Sequence, residues 1–594
     1  MFSMARRTDL KIPYGVSDFK TIRNEGLYYV DKTAYLAKLE ERDRFVFFVR
    51  PRRFGKSLFV DMLRLYYDRN EKGNFEKLFG GLWLGEHPTE NRNRYLVLAL
   101  DFSKAGASGG KTLAESFDAY LDKRLDLFAV AYPEVFDLEF RRSIANDDAA
   151  AKYTALVGRA KAAGAPIYLV IDEYDNFTNS LIRSAGKEPY KSITHGTGFY
   201  RQWFKQFKGD VDRIFMTGVS PVTMDDLTSG FNIASNVSQD EDFNAMLGFT
   251  TEETLAIYRD FKGVGKYQDG DPERIVRSIK PWYDGYCFSE DKVGKESVFN
   301  SDMVLYHLKN MVAEGRPPKN MVDRNIATDY DKLETIADLQ RLASERNVSG
   351  VPPITEQLAA EGEIAFRLVD SFPAEEIIEP DNFQSLFHYY GILSMAGTRG
   401  ARMRFRIPNA CVRQQLFSYL HGYYMSCAGF RGDGLDDLSE AFAADGDWKP
   451  LLRRFAENYA QTTPVRGAIG AEIRIQGFMQ AEFAHIGLYL VKPEMELSRG
   501  YCDFCLFPDR SRHGDFVRDS YIIELKHSKG DASDAELAVK AAEGIAQLHR
   551  YAADPTVPTL AKDTRLHLIL YQFKGTELIR CEEIPSEQGG LDAC

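Results

Sequence analysis

Apolar positions along this chain fall into two kinds of run. Short, nearly unbroken apolar stretches occur at Phe45–Val49, Tyr95–Phe102, Ile167–Asp172 and Arg213–Val219. Their length and their β-branched and aromatic content are those of buried strands. Between them, apolar residues recur at helical spacing over Leu58–Tyr67, Leu113–Phe128 and Asp147–Ala163. Strands alternating with helices predict a parallel sheet with crossover helices. Ligands of such sheets sit at the carboxyl ends of the strands. A second pattern closes the chain: a helix over Ile473–Leu490, strand-like Gly500–Phe507 and Ser520–Lys526, and a helix over Asp534–Tyr551. Near the start, Tyr28–Glu41 predicts a helix with Asp31 as its N-cap.

At 594 residues the chain exceeds what one core supports, so several domains are expected. The divisions read from pattern and composition are an N-terminal segment 1–44, a first α/β domain 45–290, a helical middle region 291–445 and a last domain 456–594. A polar connector is expected over 314–355, where Pro317-Pro318 and Pro352-Pro353 bracket a helix-like segment. Gly429–Gly446, acidic and glycine-rich, reads as a linker-like break. Hydrophobic content of 44% and charged content of 27% are ordinary for a soluble globular protein. No apolar run reaches about 18 residues, so no membrane span is expected. The N-terminus lacks a secretory apolar core. Seven scattered cysteines suit a reducing cytoplasm. Cys502 and Cys505 form a lone C-x-x-C. In a strand their sulfurs would face opposite sides, which argues for two small buried residues rather than zinc. The net charge of −12 excludes a uniformly basic nucleic-acid binder and leaves room for a local groove.

The first chemical signal is FVFFVRPRRFGKSLFV, Phe45–Val60. A buried strand leads into a basic turn, then Gly55-Lys56-Ser57, then a helix. This is the context of a phosphate-binding loop, where free N–H groups and the helix dipole hold an anion. Lys56 would reach the β- and γ-phosphates and Ser57 would ligate Mg²⁺. Against the pattern G-x-x-x-x-G-K-[ST], the first glycine falls on Arg50, so a stiffer and more positive loop is expected. The strand Ile167–Asp172 ends in Asp172-Glu173, with Asp172 expected to hold Mg²⁺ and Glu173 to activate water. Thr217, at the end of the next strand, is placed as a γ-phosphate sensor.

KIPYGVSDFK (Lys11–Lys20), YYVDKT (Tyr28–Thr33), RPRRFGKSL (Arg50–Leu58), IDEYD (Ile171–Asp175) and TGVSP (Thr217–Pro221) resemble the bacterial AAA-ATPase-like family. In that family the loop itself reads RPRRFGK[ST]. The resemblance implies a P-loop NTPase fold of class α/β, with Arg53, Gly55, Lys56, Ser57, Asp172 and Thr217 around ATP and Mg²⁺. KPWYDGYCF (Lys280–Phe288) resembles another of its motifs, with Trp282, Tyr283 and Tyr286 expected to pack rather than stack on bases. The helix Phe383–Leu393, hairpin Ser394–Ile407 and helix Val412–Tyr424 resemble a winged-helix module. Arg399, Arg402, Arg404 and Arg406 gather on its hairpin, and a solvated face is favoured there over a DNA contact.

The second signal lies in the last domain. Side chains two apart in a strand share a face, so Glu524 and Lys526 point together while Ile523 and Leu525 pack behind. An Asp503 from the neighbouring strand can join Glu524 to form a hard-cation site. The helix–hairpin–helix order, with Gln547 and Tyr551 on the following helix, resembles the PD-(D/E)XK nucleases that members of this ATPase family commonly carry. That resemblance implies a restriction-endonuclease-like domain with Asp503 and Glu524 as ligands for Mg²⁺ or Mn²⁺ and Lys526 as catalytic. It also implies Gln547 and Tyr551 as substrate contacts and DNA as substrate. Gln476 stands where the family often has Glu, with Glu472 and Glu482 one or two turns away. The expectation is therefore a cytoplasmic ATP-binding hydrolase with a magnesium-dependent DNA nuclease domain. The alternative is a nucleotide-gated DNA- or protein-binding switch whose nuclease site is inactive.

Overall fold

The computed structural model describes residues 10–105, 112–175, 199–222, 235–318, 320–323, 354, 358, 362–373, 376–426, 429–462, 471–497, 500–508 and 516–585. The chain forms two compact units. One comprises Met1–Gly350 and Ala365–Ala410, the other Val351–Ile364 and Cys411–Cys594.

The first unit is built on a parallel sheet of β1 (Phe45–Val49), β2 (Leu96–Asp101), β3 (Ile167–Asp172), β4 (Arg213–Gly218) and β5 (Ser235–Asn236). Its order is β2-β3-β4-β1-β5. β1 and β3 are buried at every position, which is why they read as unbroken apolar runs. Helices Lys56–Tyr67, Leu113–Ala131, Ala149–Ala162 and Phe199–Asp210 connect the strands. The register pairs Val49 with Gly218 and Asp101 with Asp172, so the polar strand ends lie level along one edge.

Two local expectations change in the N-terminal segment. The helix covers Ala34–Glu40 and is preceded by Thr33. Asp31 instead closes a turn on Thr33 and accepts from the Trp83 amide at 2.6 Å. Further along, Tyr283 and Tyr286 are buried packing residues, and the Tyr286 ring meets Phe54 edge-on at 4.9 Å. A short strand β6 (Glu363–Phe366) precedes helix Pro380–Tyr389 and the hairpin β7 (Ser394–Arg399) and β8 (Arg402–Arg406). Arg399, Arg402 and Arg406 are exposed on that hairpin. Helix Ala410–Ser426 follows, and the division between the two units falls at its first residue. Most of the connector expected over 314–355, including Pro352-Pro353, lies outside the described residues.

The second unit holds a mixed sheet of β9 (Tyr489–Leu497), β10 (Gly500–Pro508), β11 (Asp519–Ser528), β12 (Arg565–Lys574) and β13 (Glu577–Glu583), in the order β13-β12-β11-β10-β9. β11 pairs antiparallel with β10 and parallel with β12. The helix before the sheet ends at Ile486, so Leu490, expected in that helix, belongs to β9. Gly487 at φ 71 marks the break. The linker-like stretch 429–446 instead contains helix Leu435–Ala444. Its Phe442 is fully buried and stacks on Tyr521 at 4.0 Å. Apolar residues at helical spacing within an acidic segment were masked by its glycines.

Candidate functional sites

Gly55 caps helix Lys56–Tyr67 at φ 95, a left-handed conformation that a side chain disfavours. Arg53, also left-handed at φ 70, gives the loop its second reversal. Arg50 does not add charge to the loop mouth. It is buried beneath the loop, donating to the carbonyls of Val49 (2.9 Å), Ser238 (2.6 Å) and Phe243 (2.9 Å). Its guanidinium lies 4.3 Å from the centre of the Phe48 ring and 4.2 Å from that of Phe288. Desolvation pushes its pKa down to about 9. The expected extra positive charge of this loop therefore comes from Arg52 and Arg53. Arg50 instead braces the loop where a glycine was expected to relax it.

Lys56 is buried and donates to the carbonyls of Arg50 (2.9 Å) and Pro51 (3.0 Å). The Ser57 hydroxyl lies close enough to the Asp172 carboxylate to favour its charged form. Burial pushes the Asp172 carboxyl above its ordinary range, opposed by Ser57 and by the Lys56 charge. Glu173 follows in a left-handed conformation (φ 51), its carboxyl also pushed up by burial and by the charge of Asp175. A cavity of about 410 Å³ opens above the loop, lined by Arg53, Gly55, Lys56, Ser57 and Glu173. Asp172 borders it through Ser57. Thr217 lies at the buried end of β4, opposite Phe48, and its hydroxyl has no hydrogen-bond partner. Asp302 faces the loop, with Arg53 Nη1 at 3.8 Å from its Oδ2.

Sequence reading assigned no role to Asp175 or to the N-terminal segment. Asp175 is buried and accepts from the amides of Val219 (3.2 Å) and Ser220 (2.9 Å), clasping the end of β4 to the end of β3. Pro13, Gly15, Val16, Tyr28, Tyr29 and Val30 line the cavity. The signal was present in KIPYGVSDFK and YYVDKT, two motifs of the resemblance with no chemistry of their own.

In the second unit, β11 is a central strand buried over most of its length. Such a strand carries apolar residues on both faces, so the Glu524 and Lys526 it holds are costly there. Glu524 is 2% exposed, and Lys526 Nζ donates to its Oε1 at 2.6 Å. Its other oxygen, Oε2, is buried without a hydrogen-bond partner. Desolvation and the neighbouring Asp503 push the Glu524 carboxyl well above its ordinary range. The β10–β11 ladder runs from Leu506↔Tyr521 to Phe504↔Ile523. Beyond it, Asp503 Oδ2 takes the Leu525 amide at 2.7 Å. Gln476, on helix Ala471–Ile486, donates Nε2 to Asp503 Oδ1 at 2.5 Å. The structure thus brings Asp503, Glu524, Lys526 and Gln476 together. Among the described residues, no group of three or more His, Cys, Asp or Glu side chains is placed to hold a metal ion. The site offers two carboxylates and an amide.

Glu482 is not a reserve ligand. It is buried and accepts from His421 at 3.0 Å. The Glu472 side chain lies outside the described residues. Gln547 donates to the Tyr551 hydroxyl at 3.5 Å, and burial, then the nearby Glu524 charge, raise the Tyr551 pKa, which sets the pair beside the carboxylates. The Cys502 thiol donates to the Phe504 carbonyl at 3.4 Å. Cys502 and Cys505 are both buried and free. Gly544 was missed. A Cβ there would lie 2.6 Å from Leu570 Cδ1 and 3.3 Å from the Lys526 stem, so glycine lets helix Asp534–Ala552 pack over both without either side chain shifting. The buried stripe Ala541, Gly544, Leu548, Tyr551 carried that signal.

Residues 13–228 match the family described as predicted AAA-ATPases, and residues 470–583 match the PD-(D/E)XK nuclease superfamily. An uncharacterised protein of the vnfD 5′ region of Azotobacter chroococcum is 26% identical over 411 residues, 68% of this chain and 69% of that protein. A signal transduction ATPase with a tetratricopeptide repeat sensor from Pyrococcus horikoshii superposes with 9% identity and a TM-score of 0.23. That superposition covers 81% of this chain and 54% of the other. Among the described residues, no helix is long and apolar enough to cross a membrane.

Proposed function

We propose that this chain, which joins an AAA-ATPase-like module to a PD-(D/E)XK-superfamily domain, hydrolyses ATP at the first site and cleaves DNA at the second. The observation that carries the ATP reading is the cavity over the loop, lined by buried Lys56 and by Ser57, with Asp172 at the end of β3 close enough for both to oppose the burial-driven rise of its pKa. The oxygens of Ser57 and Asp172 fit Mg²⁺, a hard cation that would neutralise charge on the β- and γ-phosphates when bound. Lys56 would exchange its carbonyl partners for phosphate oxygens. Glu173, its basicity raised by burial, would take a proton from the attacking water.

At the second site, Asp503 and Glu524 would hold Mg²⁺ or Mn²⁺. The orphaned Glu524 Oε2 supports this fit, since a buried carboxylate oxygen without a donor suits a cation. The cation would supply Lewis-acid polarisation of the phosphodiester and a more acidic water. Lys526 would steady the charge that develops on the phosphoryl oxygens. Gln547 and Tyr551 would position the strand. With a net charge of −12, affinity for DNA must come from a local surface and should fall steeply with salt. The test is a low-salt cleavage assay on single- and double-stranded DNA with either metal. Wild type should cut, and Asp503→Ala should not. No cutting of either DNA with either metal sinks the nuclease reading.

One observation favours a second reading. Gln476 occupies Asp503 with a neutral amide where an acid would add a ligand. A nucleotide-gated switch with a silent nuclease site would bind DNA or protein in an ATP-dependent way without cutting.

A further inference from the structure

The cavity above the phosphate loop has a second wall, made by the N-terminal segment and largely apolar. Tyr28 lines it. Its hydroxyl is already engaged, donating to Asp260 Oδ2 at 2.8 Å, and its ring meets Phe261 edge-on at 5.3 Å. What Tyr28 has left to offer the cavity is its ring, held in a set orientation.

The wall around it is anchored to the phosphate loop's own helix. The Phe19 amide donates to Asp61 Oδ2 at 2.8 Å, and Asp61 lies on helix Lys56–Tyr67. Arg23 donates to the carbonyls of Leu78 (2.7 Å) and Gly80 (2.8 Å), and the Tyr28 amide to Lys11 at 2.9 Å. Across the cavity, Met246–Phe249 is tied to the loop by the Gly248 amide, which donates to the Phe54 carbonyl at 3.3 Å. The cavity therefore has a cationic end at Lys56 and an aromatic end at Tyr28, and the segment that carries Tyr28 is tied to the loop's helix through Phe19. An anion alone has no use for the aromatic end. A nucleobase does, because every base has a face that stacks on an aromatic ring.

We propose that Tyr28 is the base-stacking residue of the nucleotide site, so that this chain recognises a nucleoside triphosphate rather than a bare polyphosphate. This rests on the ATP-binding reading and extends it to the other end of the ligand. The experiment is isothermal titration of the full chain with ATP and with inorganic tripolyphosphate, in Mg²⁺, for wild type, Tyr28→Phe and Tyr28→Leu. Wild type should bind ATP more tightly than tripolyphosphate. Tyr28→Phe, which keeps the ring, should stay within about threefold of wild type. Tyr28→Leu should lose about 5- to 100-fold for ATP and nothing for tripolyphosphate. Unchanged ATP affinity in Tyr28→Leu overturns the proposal. So does an equal loss for both ligands, since that marks damage to the loop. Wild type binding both ligands equally overturns the stacking role and leaves the phosphate site standing. Wild type binding neither removes the nucleotide reading itself and this proposal with it.

Discussion

The two sites solve the same problem, a lysine among carboxylates, in opposite ways. At the first, Lys56 donates to main-chain carbonyls, and its acids Asp172 and Glu173 stand at the end of β3, with β4 between that strand and the loop's own β1. At the second, Lys526 is paired to the very carboxylate it shares a strand face with, at 2.6 Å. Carbonyls hold an ammonium by dipoles and leave its charge available to an anion. A carboxylate neutralises it, so the pair must be rearranged before either partner can act. In the proposed reading the first site meets a polyanion and the second a cation, which would free Lys526 by competing for Glu524.

Removing the base at the first site should have the largest effect. Glu173→Gln should bind ATP as wild type does and hydrolyse it about 10²- to 10⁴-fold more slowly. If turnover is unchanged in a phosphate-release assay, Glu173 is not the base. Next comes the charge itself. Lys56→Ala should weaken ATP binding about 10- to 100-fold, the worth of charge-assisted hydrogen bonds, read by titration. The second site sharpens the comparison through Gln476. Gln476→Glu adds an oxygen ligand beside Asp503 and should raise Mn²⁺ affinity about 10-fold, with cleavage rising in parallel. A variant that binds metal no better would place the amide outside the metal shell.

The smallest effect is one of pH. The folded-state pKa of Glu524 is raised above its ordinary 4.5, so the folded chain binds more protons than the unfolded one above that pH. This contribution to stability is full below 4.5 and is lost as pH rises through the raised value. Without divalent cation, the melting temperature of the second unit should therefore drift down between about pH 5 and 8. Added Mg²⁺ should offset the drift, because only the ionised carboxylate binds it. Glu524→Gln should flatten the metal-free slope.

The phosphate loop could be read from a single stretch because its parts are contiguous. A strand, a turn and a helix start within Phe45–Tyr67 place Gly55, Lys56 and Ser57 by local geometry alone. Strand alternation likewise put Glu524 and Lys526 on one face before any contact was known. What local pattern could not settle was what each group would meet. Arg50 looked like loop charge and became a buried brace, because acceptors at Ser238 and Phe243 arrive from far along the chain. Glu482 lies within two turns of Gln476 in the sequence, yet its carboxylate is held by His421. Gly544 matters only because Lys526 and Leu570 crowd it, and Tyr28 only because Asp260 fixes its hydroxyl. Periodicity and spacing encode which way a side chain points from its own element. Partners distant in sequence decide its burial, its charge state and whether it is free to act.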